Sequence, residues 1–396
     1  MNGYSVKEQK KMKKLGFGCM RLPMKQGNQG IEVDYEQFNQ MIDAFFDAGF
    51  CYFDTAHGYI GGKSETALRE CLVKRYPRDF YILTNKLTTE FFQKEEEIRP
   101  LFEQQLINTG VEYFDYYLMH AMNADFYQKY VRCHAFEIAK QFKREGKIKH
   151  LGISFHDKAA VLEKILSEQP EIEVVQIQFN YADYDDPGIE SYRCYQVCEK
   201  YNKPVIVMEP VKGGGLFNLP EDARKILDDF NSETSNPSSA ETPSSPGSPS
   251  YASYAIRYCA SFANAFMVLS GMSTLEQMED NISYMKEFIP FSEKEYQLVN
   301  RVREMLKNQD TIPCTACQYC VDGCPKKIAI PDLFACYNAK KQFNDGNSDW
   351  YYGVHTKGKG IAADCIKCGK CETVCPQHIK IIDNLEAVSR IFDKRN

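Results

Sequence analysis

Three successive apolar runs in the first third of this chain each end in an ionisable residue. They are Phe50-Cys-Tyr-Phe-Asp54, Phe80-Tyr-Ile-Leu-Thr-Asn-Lys86 and Phe114-Asp-Tyr-Tyr-Leu-Met-His120, and each reads as a strand. The alternation of strand and helix signals continues, with further strands expected at 15–20, 148–153, 174–179, 204–208 and 265–269. Eight strands, each followed by a helix across short connections, favour a closed parallel (β/α)8 TIM barrel over an open sheet. No G-x-G-x-x-G opens the first helix, as an open dinucleotide-binding sheet would want. A barrel keeps its chemistry at the carboxyl ends of its strands. Asp54, Lys86 and His120, with Tyr59 in the glycine-bearing turn after Asp54, are therefore the candidate reactive groups.

Between the strands, Asp34 with Gln37 three residues on predicts a capped helix, and Phe38, Met41, Ile42, Phe45 and Phe46 share its apolar face before Gly49. Ser64 is the expected cap of a helix reaching about Arg75, and one continuous helix is expected over 131–145. One connection is long: Ser232 to Ser250 holds eight serines and four prolines, and nothing apolar larger than Ala240. Such a stretch cannot bury a core and is expected to be flexible, either as a tolerated surface insertion or as a lid. A capped helix from Ser292 to Lys307 links the barrel, residues 1–290, to a separate module over 310–396.

Hydrophobic residues make up 43% and charged residues 26%, which suits a large globular core and excludes a disordered chain. No apolar run approaches the ~18 residues of a membrane span, and residues 1–14 do not read as a secretory signal. A cytoplasmic protein with no membrane partner is expected. The net charge of −6, with no basic stripe, argues against a nucleic-acid partner.

The module carries two copies of one spacing, Cys314-x2-Cys317-x2-Cys320-x3-Cys324-Pro325 and Cys365-x2-Cys368-x2-Cys371-x3-Cys375-Pro376. This is the bacterial ferredoxin run, in which three thiolates of one motif grip one cubane and the fourth reaches the other. One [4Fe-4S] cluster would take Cys314, Cys317, Cys320 and Cys375, and the second Cys365, Cys368, Cys371 and Cys324. Structural zinc also accepts four thiolates, but seldom needs a third C-x2 step or the trailing proline. The insert between the motifs brings Trp350, Tyr351 and Tyr352 to cover the clusters or dock on the barrel, and residues 311–396 hold 12 basic and 9 acidic residues. The eight other cysteines, Cys19, Cys51, Cys71, Cys133, Cys194, Cys198, Cys259 and Cys336, fit no ligand spacing and read as buried thiols.

Asp54, Tyr59, Lys86 and His120, in that order on successive strands, resemble the catalytic tetrad of the aldo-keto reductases. With the cysteine motifs, the whole chain resembles the subgroup of that family with a C-terminal two-cluster ferredoxin domain. The resemblance implies hydride transfer between NADP or NAD and a small-molecule carbonyl. Tyr59 would supply the proton with its pKa lowered by Lys86, Asp54 would hold Lys86, and His120 would bond the carbonyl oxygen or share the relay. It implies cofactor contacts from Gly18 and Met20 in the first strand, and from Ser154 and Gln176 to the nicotinamide carboxamide. Pro210, Lys212 and Gly213 would lie along the pyrophosphate, and Gly271, Gln277 and Asn281 on the adenosine side. Phe155 stands where better-known members carry asparagine. The stretch 270–281 has no lysine or arginine for a 2′-phosphate, so the choice between NADH and NADPH stays open.

No flavin-binding signal is visible to split a hydride into single electrons. The clusters would then serve a flavoprotein or other electron-transfer partner, regulate activity, or brace the tail. The competing reading is a non-catalytic electron-transfer or nucleotide-sensing subunit.

Overall fold

The computed structural model describes residues 12–27, 30–234, 249–307, 311–314, 316–375 and 377–393. Residues 235–248, most of the Ser/Pro-rich stretch, and Pro376 of the second cysteine motif lie outside the described residues. The chain divides into two compact units. The first comprises residues 1–179, 194–210 and 252–291; the second takes residues 180–193, 211–251 and 292–396.

The first unit is the barrel. Eight parallel strands close in the order β1 (Leu15–Gly18), β10 (Ala265–Ser270), β9 (Val205–Met208), β8 (Val174–Gln178), β7 (Ile148–Phe155), β6 (Phe114–Met122), β5 (Ile82–Leu87) and β4 (Tyr52–Asp54). Two further strands, β2 (Met24–Gly27) and β3 (Gly30–Val33), form an antiparallel hairpin that pairs Met24 with Val33. Side chains of a strand alternate between faces, so one phase of each barrel strand fills the interior. Tyr52, Ile82, Tyr116, Leu118, Val174, Ile206, Met267 and Leu269 form one buried apolar cluster. The same phase, continued two residues along, or four on β5, delivers Asp54, Lys86, His120, Ser154 and Gln176. The core thus changes from apolar to polar toward the mouth along β4 to β8. Gly152 is needed in this layer, because a Cβ there would stand 2.5 Å from Val174 and 2.6 Å from Leu118.

The helix Tyr35–Asp47 forms as its sequence requires: the Asp34 side chain caps the Gln37 N–H, and Phe38, Met41, Ile42 and Phe45 are buried. Phe17 meets Phe38 edge-on at 5.6 Å. Two helical expectations are corrected. Ser64 is not a cap: left-handed Gly62 (φ 85°) precedes a helix over Lys63–Leu68, and five residues of π-helix, Arg69–Val73, follow it. The helix expected over 131–145 is two, Ala124–Arg132 and Ala135–Arg144, broken where His134 turns to φ 49°. The barrel cysteines outside the motifs are buried, apart from half-buried Cys51, and burial pushes Cys51 and Cys71 up to about 11.

In the second unit, Ser292 and Glu295 form a reciprocal capping box at the start of the helix Glu293–Lys307. A core of Ile328, Ile330, Leu333, Phe334, Leu385 and Val388 joins the helices Ile330–Phe343 and Ile381–Phe392. Tyr351 and Tyr352 belong to this core, and Tyr352 stacks on Phe392 at 4.5 Å. Among the described residues no helix is long and apolar enough to cross a membrane.

Candidate active site and cysteine cages

Asp54 ends β4 and Lys86 lies near the end of β5, and both are buried. The Lys86 ammonium donates to Asp54 Oδ1 at 2.5 Å, to the Thr55 carbonyl at 2.8 Å and to Tyr59 Oη at 3.3 Å. The His120 ring stands edge-on to the Tyr59 ring, centroids 5.8 Å apart, and its Nδ1 is 2.7 Å from Thr88 Oγ1. The four expected groups meet at one point of the barrel mouth.

Burial alone would strip the proton from Lys86, but the adjoining Asp54 carboxylate reverses this and holds the ammonium above the ordinary lysine range. Desolvation likewise pushes Asp54 upward against the pull of Lys86. The two form an ion pair, since a buried ammonium at hydrogen-bond distance from a carboxylate stabilises both charges. The phenol of Tyr59 departs from the sequence expectation: burial raises its pKa, and Lys86 offsets this only in part. Tyr59 is thus held as a neutral O–H. Burial, then Lys86 and His156, drives His120 well below the usual imidazole range, so its ring is neutral.

Several groups here escaped the sequence reading. His156 lies two residues beyond Ser154 in the same inward phase; its Nε2 is 3.3 Å from Ser154 Oγ, and burial with Lys86 pushes its pKa down to about 4. Thr88 fixes His120, and Tyr130 bonds the carbonyls of Leu87 and His120 at 2.5 and 2.9 Å, tying β5 to β6. Only the three-dimensional register reveals these. His57, His134 and His150 each pair with a glutamate.

Of the expected cofactor contacts, Ser154 and Gln176 are register partners on β7 and β8, and Gln176 Oε1 is a buried acceptor with no protein partner. That orphaned oxygen fits a carboxamide N–H. Gly18 and Gly271 face each other across β1 and β10, with the exposed side chain of Arg21 beside Gly271 and Met20 also exposed. Arg21 is a cation that a search of 270–281 alone could not find. Gln277 is exposed, and its side chain accepts from the Ser273 N–H. Asn281 is buried, donating to Ser270 Oγ and accepting from Tyr284, so its amide is occupied internally. Pro210 is buried and Gly213 takes φ 63°.

Lys212 is a correction. It is buried, 2.5 Å from Asp183 and 3.6 Å from Asp345, and these carboxylates hold its ammonium strongly charged. Its charge is committed to that cluster rather than offered to a phosphate, because a desolvated ammonium requires carboxylate partners.

Among the described residues no group of three or more His, Cys, Asp or Glu side chains is placed to hold a single metal ion. The motif cysteines instead line two small cavities, each of about 20 Å3. Cys314, Cys317, Cys320 and Cys375 share one with Phe334, Ile379 and Ile381. Cys365, Cys368, Cys371 and Cys324 share the other with Ile328, Ile330 and Leu385. Each motif lends its fourth cysteine to the other's cage, and an all-thiolate set with apolar walls has the donor chemistry of an iron–sulfur cluster.

The barrel and its mouth define a class of protein, and the chain belongs to the aldo/keto reductase family, whose model matches residues 14–304. Residues 313–380 match the 4Fe-4S dicluster domain, which this chain carries at its C-terminal end. It is similar to the 4-dihydromethyl-trisporate dehydrogenase of Mucor mucedo, with 33% identity over 115 residues, covering 28% of this chain and 31% of that protein. It is similar also to the NAD(P)H-dependent D-xylose reductase of Pachysolen tannophilus, with 30% identity over 122 residues, 30% of this chain and 33% of that one. The chain thus spans about a third of the curated relatives it matches.

Among solved structures, aldo-keto reductase AKR11C1 from Bacillus halodurans in its holo form is similar at 23% identity and TM-score 0.57, over 73% of this chain and 91% of that one. An aldo-keto reductase from Klebsiella pneumoniae in complex with NADPH is similar at 18% identity and TM-score 0.58, over 76% and 96%. These likenesses establish the fold.

Proposed function

We propose that this protein is an NAD(P)H-linked oxidoreductase acting on a small-molecule carbonyl, with Tyr59 as general acid and base. The observation that carries the reading is the buried chain from Asp54 through Lys86 to Tyr59, with steps of 2.5 and 3.3 Å. Bound NADH or NADPH would supply the hydride. Ser154 and the orphaned Gln176 acceptor would orient the carboxamide, and Arg21 would reach the phosphate-bearing end. As negative charge grows on the substrate oxygen, Tyr59 releases its proton to it, and the Lys86 ammonium compensates the phenolate left behind. Asp54 keeps Lys86 charged and in place. With Thr88 Oγ1 as the donor to Nδ1, His120 would carry its proton on Nε2 and donate it to the same oxygen.

The two cages would each hold one [4Fe-4S] cluster, which supplies single-electron steps to a flavoprotein or similar partner. The test is a screen with anaerobically reconstituted protein, NADH and NADPH, and a panel of aldehydes and ketones. Loss of nucleotide absorbance only when a carbonyl is present supports the reading. Tight nucleotide binding without turnover on any carbonyl would instead indicate a nucleotide-sensing electron-transfer subunit.

A further inference from the structure

The two cages share a motif but not a rim. The cavity of Cys314, Cys317, Cys320 and Cys375 has no charged side chain in its wall. The cavity of Cys324, Cys365, Cys368 and Cys371 is walled in part by Lys326 and Lys370. Lys327 and Lys367 adjoin it in sequence, and all four lysines are exposed. Exposed Lys359 lies next in the chain to Gly360, which packs so tightly on the Lys326 carbonyl that a Cβ would stand 2.4 Å from it. Lys367 pairs with Glu386 at 2.5 Å, while among the described residues no carboxylate pairs with Lys326, Lys327, Lys359 or Lys370. At the centre of this basic rim Cys368 is exposed and Ile366 is 57% exposed. Glu372, Asp383 and Glu386 also lie at this cage, Glu386 paired with Lys367 and Glu372 accepting from the Ile382 N–H, and the lysines outnumber them. An apolar contact ringed by a net excess of cations is the form of a transient docking surface, in which charge steers the encounter and a small dry centre makes the contact.

We infer that the rim of the Cys324–Cys365–Cys368–Cys371 cage is the docking surface for an acidic one-electron carrier protein. The inference rests on the reading that the cages hold [4Fe-4S] clusters. One electron passes per encounter between carrier and cluster; what one loses the other gains, with no bond made and no proton drawn from the lysines. The wall of the other cage carries no lysine to steer a carrier, which makes the lysine-rimmed cage the port of the domain.

The experiment measures binding of an acidic [2Fe-2S] ferredoxin to the full-length, cluster-loaded protein by isothermal titration calorimetry, with basic cytochrome c as the opposite-charge control. The ferredoxin Kd is expected to rise about tenfold or more between low and high salt. It should rise about fivefold or more in a triple variant, Lys326→Gln, Lys327→Gln and Lys370→Gln, at low salt. Lys164→Gln, an exposed lysine on the barrel, should change it less than about twofold. Cytochrome c should not bind. Ferredoxin binding that ignores salt, binding of cytochrome c in its place, or no binding of either would overturn the inference. If the triple variant loses its clusters, the salt dependence of the unmodified protein still decides. Protein that never acquires iron would sink the cluster reading itself, and the inference with it; iron-replete protein with salt-insensitive binding sinks the inference alone.

Discussion

Tyr59→Phe is expected to lower the rate of carbonyl reduction by about 10²- to 10⁴-fold, the usual worth of a positioned general acid. The fold should survive, because Lys86 keeps its bonds to Asp54 at 2.5 Å and to the Thr55 carbonyl at 2.8 Å and loses only the longer one to the phenol. Nucleotide affinity should stay within about twofold, so the loss falls on kcat. The unmodified protein should also show a characteristic pH profile. His120 and His156 are held neutral by burial, His156 down to about 4, so neither gains a proton as pH falls through the usual imidazole range near 6.5. Tyr59 is active as an acid when protonated, and burial raises its pKa, so it stays protonated as pH rises. The reduction rate is therefore expected to be level from about pH 6 to about pH 9. A step near 6.5 would mean that an ionising imidazole, not the phenol, carries the proton.

The second large effect concerns the crossed cages. Cys324→Ser should remove the same cluster as Cys368→Ser, although Cys324 belongs to the other motif, because both line one cavity. Cys317→Ser should remove the other. Iron per chain should fall from about eight to about four in each single variant. The double variants separate the arrangements. Cys324→Ser with Cys368→Ser should retain about four irons, whereas Cys324→Ser with Cys317→Ser should retain about none. The opposite pattern would mean that each motif fills its own cage.

Much of this was legible in the sequence, for reasons that differ by residue. Asp54, Lys86 and His120 could be read because a strand of period two ending in a polar residue announces both its element and its place at the barrel mouth. The grouping of the cage cysteines could be read because their spacing is that of the bacterial ferredoxin run. The hairpin Met24–Val33 was not, since β2 is exposed along most of its length and shows no apolar alternation. The break at His134 is hidden within a continuous apolar period, and the Ser64 hydroxyl, well placed in the sequence for a cap, donates to the Cys19 carbonyl instead. Thr88 and His156 join the site through the register of β5, β6 and β7, which are distant in sequence. Lys212 shows the converse: a lysine beside glycines suggested phosphate, but the fold surrounds it with Asp183 and Asp345.

The central proposal is that a hydride passes directly to a carbonyl carbon at the Tyr59 mouth, without passing through the cysteine cages as separate electrons. Turnover with a nicotinamide cofactor deuterated at C4, followed by mass spectrometry of the alcohol formed, tests this most directly. The proposal predicts one deuterium on the former carbonyl carbon when the transferred face carries the label. An alcohol whose new C–H hydrogen comes from solvent, whichever face is labelled, would contradict it.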